Sequence, residues 1–200
     1  GYHFICWQDS EEVDISKDAI YSTIVTKQID YVAIFGKNVY QITTESTDNT
    51  KGHVDAVTHA EYLDEVILTA VPEVGYYFTQ WNDGNTDNPR NIVLQQDTSF
   101  TAIFDRTTFL LTGNSNIESR GNVNGIGNYL YLDTATIMAV SNYGYHFVSW
   151  SDGNTSNPRS VQVLRDSTFI AIFEKNLYTV ISNVNISDRG TVSGSGTYQY

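Results

Sequence analysis

Three tryptophans, a run of alternating acidic and amide side chains, and four histidines are the residues of this sequence with the most chemistry to offer. Trp7, Trp81 and Trp150 each close a Gly-Tyr-x-Phe-x-x-Trp block that begins at Gly1, Gly75 or Gly144. Exposed aromatic rings make platforms for sugars, and 14 tyrosines add to that supply. The competing reading is that each Trp anchors a core, and its recurrence in one context in every copy favours the core. Asp83-x-Asn85-x-Asp87 places oxygens at alternate positions, as the start of a calcium loop does. Against calcium, Leu94 stands where such a loop takes its bidentate Glu, and the sister loop has Ser156 for Asp87. Asn and Asp also favour turns on their own account, and Asn88-Pro89 sets one up.

His3 and His146 are equivalent, but the middle copy has Tyr77 there, which a catalytic or metal-binding histidine would not tolerate. His53 and His59 have no evident carboxylate or cysteine partner in the sequence. Cys6 is the single cysteine, so neither an intrachain disulfide nor a thiolate cage can form. No nucleophile elbow, phosphate loop or zinc-protease motif occurs. The acidic pair Glu11-Glu12 falls in an inserted loop and reads as solvated surface. The sequence therefore calls for no catalytic residue and no cofactor, keeps calcium at Asp83, Asn85 and Asp87 as its one metal candidate, and argues against an enzyme.

Charge narrows the partners. Lys plus Arg total 11 and Asp plus Glu 23, a net charge of −12. Such a field repels phosphate backbones and anionic lipid, and it favours solubility. No stretch approaches the ~18 apolar residues of a membrane span.

The elements that position these residues repeat. Ala-Ile-Phe ends at Phe35, Phe104 and Phe173, a period of 69 residues. Lys51-Gly52-His53-Val54, Arg120-Gly121-Asn122-Val123 and Arg189-Gly190-Thr191-Val192 keep the same register. The loop Asp83 to Arg90 returns almost verbatim as Asp152 to Arg159. The first copy carries extra residues around Gln8 to Ala19, the one helix-tolerant stretch. Each copy reads as strands: 39–44, 65–71, 76–81, 91–95 and 99–104 in the first complete one. Phe100, Ala102 and Phe104 share one face by period-2 alternation. The expected boundaries are 1–38 for a C-terminal half, 39–107 and 108–176 for complete repeats, and 177–200 for an N-terminal part. The sequence thus reads as a fragment. Linkers of about three residues (Gly36-Lys37-Asn38, Asp105-Arg106-Thr107, Glu174-Lys175-Asn176) leave little slack between copies.

The order of blocks resembles the divergent internalin B-repeat family. It runs from an aromatic-led strand through Gly-x-Val, a Thr-and-Ala strand and Gly-Tyr-x-Phe-x-x-Trp to an Asn-Pro loop and Ala-x-Phe. Gly194-Ser195-Gly196-Thr197-Tyr198 supplies its Gly-x-Gly-x-Tyr element, Gly125 to Tyr129 a looser one, and Ala56 to Ala60 departs from it. The resemblance implies a secreted or cell-wall-attached bacterial protein and no catalytic residues. It also implies small modules similar to a β-grasp, with the Asn-Pro loop standing where that fold's helix would lie.

The expected architecture is all-β, tandem modules of about 69 residues with at most one short helix. The expected role is a spacer or adhesion region at the bacterial cell surface. The alternative is a module that binds carbohydrate or host protein through exposed aromatics. The incomplete end copies add the expectation of end-to-end self-association through unpaired edges.

Overall fold

The computed structural model describes residues 1–185 and 188–200. The chain is all-β and divides into two units, Gly1–Asp105 and Arg106–Tyr200.

The first unit opens with β1 (Tyr2–Gln8), β2 (Asp14–Ser16) and β3 (Val32–Lys37), ordered β2-β1-β3 in one sheet. A complete copy follows: β4 (Val39–Ser46), β5 (Gly52–Asp55), β6 (His59–Glu61), β7 (Glu65–Pro72), β8 (Tyr76–Trp81), β9 (Arg90–Val93) and β10 (Thr98–Arg106). These strands make two sheets, β6-β4-β10-β8 and β5-β7-β9. Alternation explains the core: Val66, Leu68 and Ala70 of β7 point inward with Ile42, Trp81, Leu94, Ala102 and Phe104.

The second unit repeats that plan with β11 (Thr108–Ser115), β12 (Gly121–Asn124), β13 (Gly127–Leu130), β14 (Thr134–Ser141), β15 (Tyr145–Trp150), β16 (Arg159–Gln162) and β17 (Ser167–Lys175). Its sheets are β13-β11-β17-β15 and β12-β14-β16, and its core holds Leu111, Ala135, Ile137, Trp150, Val163, Ala171 and Phe173. A two-stranded antiparallel sheet, β18 (Leu177–Val180) with β19 (Gly196–Gln199), follows. Ile186 and Ser187 lie outside the described residues.

In each complete copy the first and last strands pair in parallel, Ile42 opposite Thr98 and Leu111 opposite Ser167. A parallel pair needs a long crossover. Here the rest of the copy is the crossover, so each repeat closes on itself.

A bulge makes sense of the Gly-Tyr-x-Phe-x-x-Trp spacing. In a regular strand, Phe and Trp three residues apart face opposite sides. The ladder of β15 with β17 slips between Phe147 and Ser149, and that of β1 with β3 slips between Phe4 and Cys6. The extra residue turns both rings to one side. Phe147 and Trp150 then meet with ring centres 5.4 Å apart, and Phe4 and Trp7 at 5.8 Å. The Gly of Gly-x-Val has a similar packing reason. A Cβ on Gly52 would stand 2.6 Å from the Phe104 ring, and one on Gly121 2.6 Å from the Phe173 ring.

The expected all-β architecture with at most one short helix holds, and two finer expectations, the β-grasp likeness and the linker length, need correction. The helix-tolerant stretch from Glu11 to Ala19 holds no helix. It turns back on Asp9, whose carboxylate accepts from the backbone of Glu11 and Val13, and β2 then pairs with β1. Among the described residues the one helical element is a 3-10 turn, Glu118–Arg120. No α-helix crosses a sheet there in the manner of a β-grasp. The linkers are also shorter than three residues. Strands run through Lys37, Arg106 and Lys175, leaving Asn38, Thr107 and Asn176 as single connecting residues.

Candidate functional site

The three Trp residues open two different environments. Trp81 and Trp150 are 0% and 1% exposed. Each indole is closed over by the loop that follows its strand. Trp81 Nε1 donates to the Asp87 carbonyl at 2.8 Å, and Trp150 Nε1 to the Ser156 carbonyl at 2.9 Å. Only a backbone oxygen is used, so Asp in one copy and Ser in the other serve equally.

The loop is pinned by its asparagine. Asn88 accepts from the Ala70 backbone N–H and donates to the Ala70 carbonyl, both at 2.8 Å. Asn157 does the same at Ala139, at 2.9 and 2.8 Å. The side-chain amide thus extends the ladder of β7 or β14 as a strand backbone would. The peptides Asn88-Pro89 and Asn157-Pro158 are cis.

Arg90 and Arg159 complete the clasp. Arg90 makes a forked pair with Asp83, 2.9 Å to Oδ1 and 2.7 Å to Oδ2, and lies 4.7 Å from the Phe100 ring centre. Arg159 reaches Asp152 at 2.6 Å and lies 5.6 Å from the Phe169 ring centre. The guanidinium beside each carboxylate holds Asp83 and Asp152 below the usual carboxylate range.

The calcium candidates sit inside this clasp. Asp83 is engaged by Arg90 and by the Asn85 N–H, at 3.2 Å to the latter. Asn85 Oδ1 accepts from the Asp87 N–H at 2.8 Å, and Asp87 Oδ2 accepts from the Asn85 amide at 3.3 Å. Among the described residues no three His, Cys, Asp or Glu side chains gather as metal ligands. His3 and His146 each meet an asparagine, Asn38 at 2.9 Å and Asn176 at 3.0 Å. His53 does have a carboxylate neighbour: its Nε2 lies 3.6 Å from Asp55 Oδ1, two residues along β5 on the same side.

The first copy lacks the clasp. Trp7 is half-buried, and its Nε1 is buried without a hydrogen-bond partner among the described residues. Where Phe100 has Arg90, the equivalent Tyr31 has Tyr21, edge-on with ring centres 5.7 Å apart. Asp14 is held below its usual range chiefly by the Gln8 amide, then by the Cys6 thiol, whose own pKa burial pushes up. Trp7, Tyr21, Ser22, Thr23 and Tyr31 line a cleft of about 370 Å³. Sequence reasoning missed Asn88, Arg90 and Tyr31. Asn88 and Arg90 do recur in the sister loop, but so does nearly every residue of it, so repetition did not single them out.

Each complete copy is therefore a closed double sheet with a capped Trp. Residues 42–108 and 112–177 match the divergent InlB B-repeat domain. The chain belongs to that family. No curated protein matches the chain. Divergent InlB B-repeats are non-enzymatic repeat domains associated with bacterial surface proteins. In this family member the Trp clasp belongs to the matched copies, while the cleft beside Trp7 lies outside them. No helix among the described residues is long and apolar enough to cross a membrane.

Proposed function

We propose that the chain is a non-catalytic spacer on the outer side of a bacterial cell, with copies running 39–107 and 108–176 and a stiffened connection at Asn38. The observation that carries this reading is a joint made twice in the same way. Lys37, leading into the first complete copy, pairs with Asp64 of that copy at 2.8 Å. Arg106, leading into the second, pairs with Asp133 of that copy at 2.8 Å. The pairing is backed by the backbone: Tyr62 N–H donates to Asn38 O, and Tyr131 N–H to Thr107 O, both at 2.8 Å. In the first unit the Tyr62 ring lies edge-on to Tyr2, with centres 5.5 Å apart. A third connection, at Asn176, keeps the backbone bond and the ring contact: Tyr200 N–H donates to Asn176 O at 3.0 Å, and the Tyr200 ring lies edge-on to Tyr145 at 5.8 Å. Gly144, at φ +86°, gives the Tyr200 ring its seat, because a Cβ there would collide with it. At Asn38 an ion pair, a backbone bond and a ring contact together clamp a single connecting residue, which resists bending far better than a free linker.

Spin labels at exposed Glu11 and Val74, in a Cys6→Ser background, test this by double electron–electron resonance. The expected result is one narrow distance distribution that broadens in a Tyr62→Ala, Asp64→Ala double variant. A broad distribution in the parent chain would overturn the spacer reading.

A further inference from the structure

The cleft in the first copy occupies the place that the clasp fills in the other two. There, Trp81 and Phe100 stand 6.3 Å apart beneath Arg90, and Trp150 and Phe169 stand 6.3 Å apart beneath Arg159. The equivalent pair in the first copy is Trp7 and Tyr31. Between β2 and β3, residues 17–31 form no strand or helix, and they bring Tyr21, Ser22 and Thr23 to the cleft instead of a loop carbonyl and an arginine. Two independent features change together. The indole donor that the sister copies satisfy internally is left without an acceptor among the described residues. The space above the aromatic pair opens to about 370 Å³, within the size range of small-ligand sites.

We infer that this cleft is a binding site for a neutral N-acetylated sugar. Its lining offers three aromatic surfaces and two aliphatic hydroxyls. The flat, weakly polar faces of Trp and Tyr suit the C–H face of a pyranose, and the Ser22 and Thr23 hydroxyls can both donate to and accept from ring hydroxyls. Among the described residues no cationic side chain lines the cleft, and the chain carries −12, so an anionic ligand has nothing to neutralise it. The indole N–H is a donor only. The acetamido carbonyl is the strongest acceptor a neutral sugar carries, and its methyl group fits an aromatic wall. Trp7 Nε1 is buried behind the cleft wall, and segment 17–31 has no ladder to break, so it can shift locally to let that carbonyl reach Nε1 while Tyr21, Ser22 and Thr23 stay at the cleft. The site lies outside the repeats matched to the family and does not depend on the spacer reading.

The intact chain is titrated with triacetylchitotriose and with cellotriose, which has hydroxyls in place of acetamido groups. The Trp7 indole N–H resonance is followed by NMR. The expected result is a shift of that resonance with the acetylated trisaccharide, with Trp81 and Trp150 unmoved and cellotriose about tenfold weaker. Trp7→Phe keeps an aromatic face but loses the N–H donor and is expected to weaken binding about tenfold, and Tyr21→Ala to abolish it, while Tyr77→Ala leaves it unchanged. No shift with the acetylated sugar, equal affinity for cellotriose, or binding indifferent to Trp7→Phe and Tyr21→Ala would each overturn the proposal. So would a shift produced by the peptide-bond probe N-acetylalanine methylamide where triacetylchitotriose gives none.

Discussion

Trp7 and Trp81 end the same seven-residue block and lie in different surroundings. Trp81 is sealed by a loop that supplies a carbonyl to its indole, a side-chain amide to the neighbouring strand and an arginine to the ring beside it. Trp7 has the block, the bulge and the neighbouring phenylalanine, but its loop is replaced by a longer one that supplies none of the three. The block alone therefore aims a Trp at the core. The loop that follows decides whether the Trp becomes core or the wall of a cleft.

The largest effect expected from this difference is on stability. Trp81→Ala removes a fully buried indole and its hydrogen bond, and should cost about 3–5 kcal/mol by denaturant unfolding. Trp7→Ala removes a half-buried ring whose donor is already unpaired, and should cost no more than about half as much. Equal costs would erase the distinction between the two copies. Next in size is the amide that pins the loop. Asn88→Ala leaves the N–H and carbonyl of Ala70 without their partner and should cost about 1–3 kcal/mol, as should Asn157→Ala at Ala139. Neither has a counterpart in the first copy, so hydrogen exchange there should stay unchanged in both variants.

A smaller effect separates the copies by acid and salt. Asp83 and Asp152 have folded pKa values lowered first by their arginines. Their contribution is therefore present above the ordinary Asp value of 3.8 and is lost as pH falls through and below it. About half of each carboxylate is exposed, so screening keeps the gain below about 1 kcal/mol per pair. Melting temperature between pH 5 and 2 should fall less steeply in an Arg90→Gln, Arg159→Gln double variant. High salt should flatten the parent's curve in the same sense. In the first copy Asp14 is held mainly by the Gln8 amide, so its share of the acid sensitivity should persist at high salt.

How much of this was legible in the sequence follows from where each device is written. The strands and their inward faces were legible because alternation is local: Val66, Leu68 and Ala70 read as one face and lie buried. The parallel pairing of β4 with β10 was not, because it joins residues 56 apart, Ile42 with Thr98, and leaves no local mark. The bulge was hidden in plain spacing: Phe and Trp three apart already contradict a regular strand. The short strands β5 and β6 were blurred by turn residues into one hairpin region. In the loop, the alternate spacing of Asp83, Asn85 and Asp87 suggested calcium, when Asn88 and Arg90 carry the contacts. The first copy's cleft was illegible, since its walls come from residues 7, 21 and 31.

The smallest expected effect tests whether the loop acts through its backbone. Asp87 contributes its carbonyl to Trp81, while among the described residues its carboxylate is hydrogen-bonded by the neighbouring Asn85 amide at 3.3 Å. The second copy shows the consequence of losing that carboxylate: Ser156 stands there, and its carbonyl caps Trp150 at 2.9 Å. Asp87→Ser should therefore change stability by less than about 0.5 kcal/mol. It should leave the Trp81 indole resonance in place. The same reasoning covers calcium. An ion at Asp83, Asn85 and Asp87 would have to displace Arg90 from both Asp83 oxygens, and then compete with the turn bonds of Asn85. Calcium or chelator should leave the melting temperature unchanged in the parent and in Asp87→Ser alike. A calcium-dependent rise present in the parent and lost in Asp87→Ser would show that the two complete copies differ in chemistry as well as in sequence.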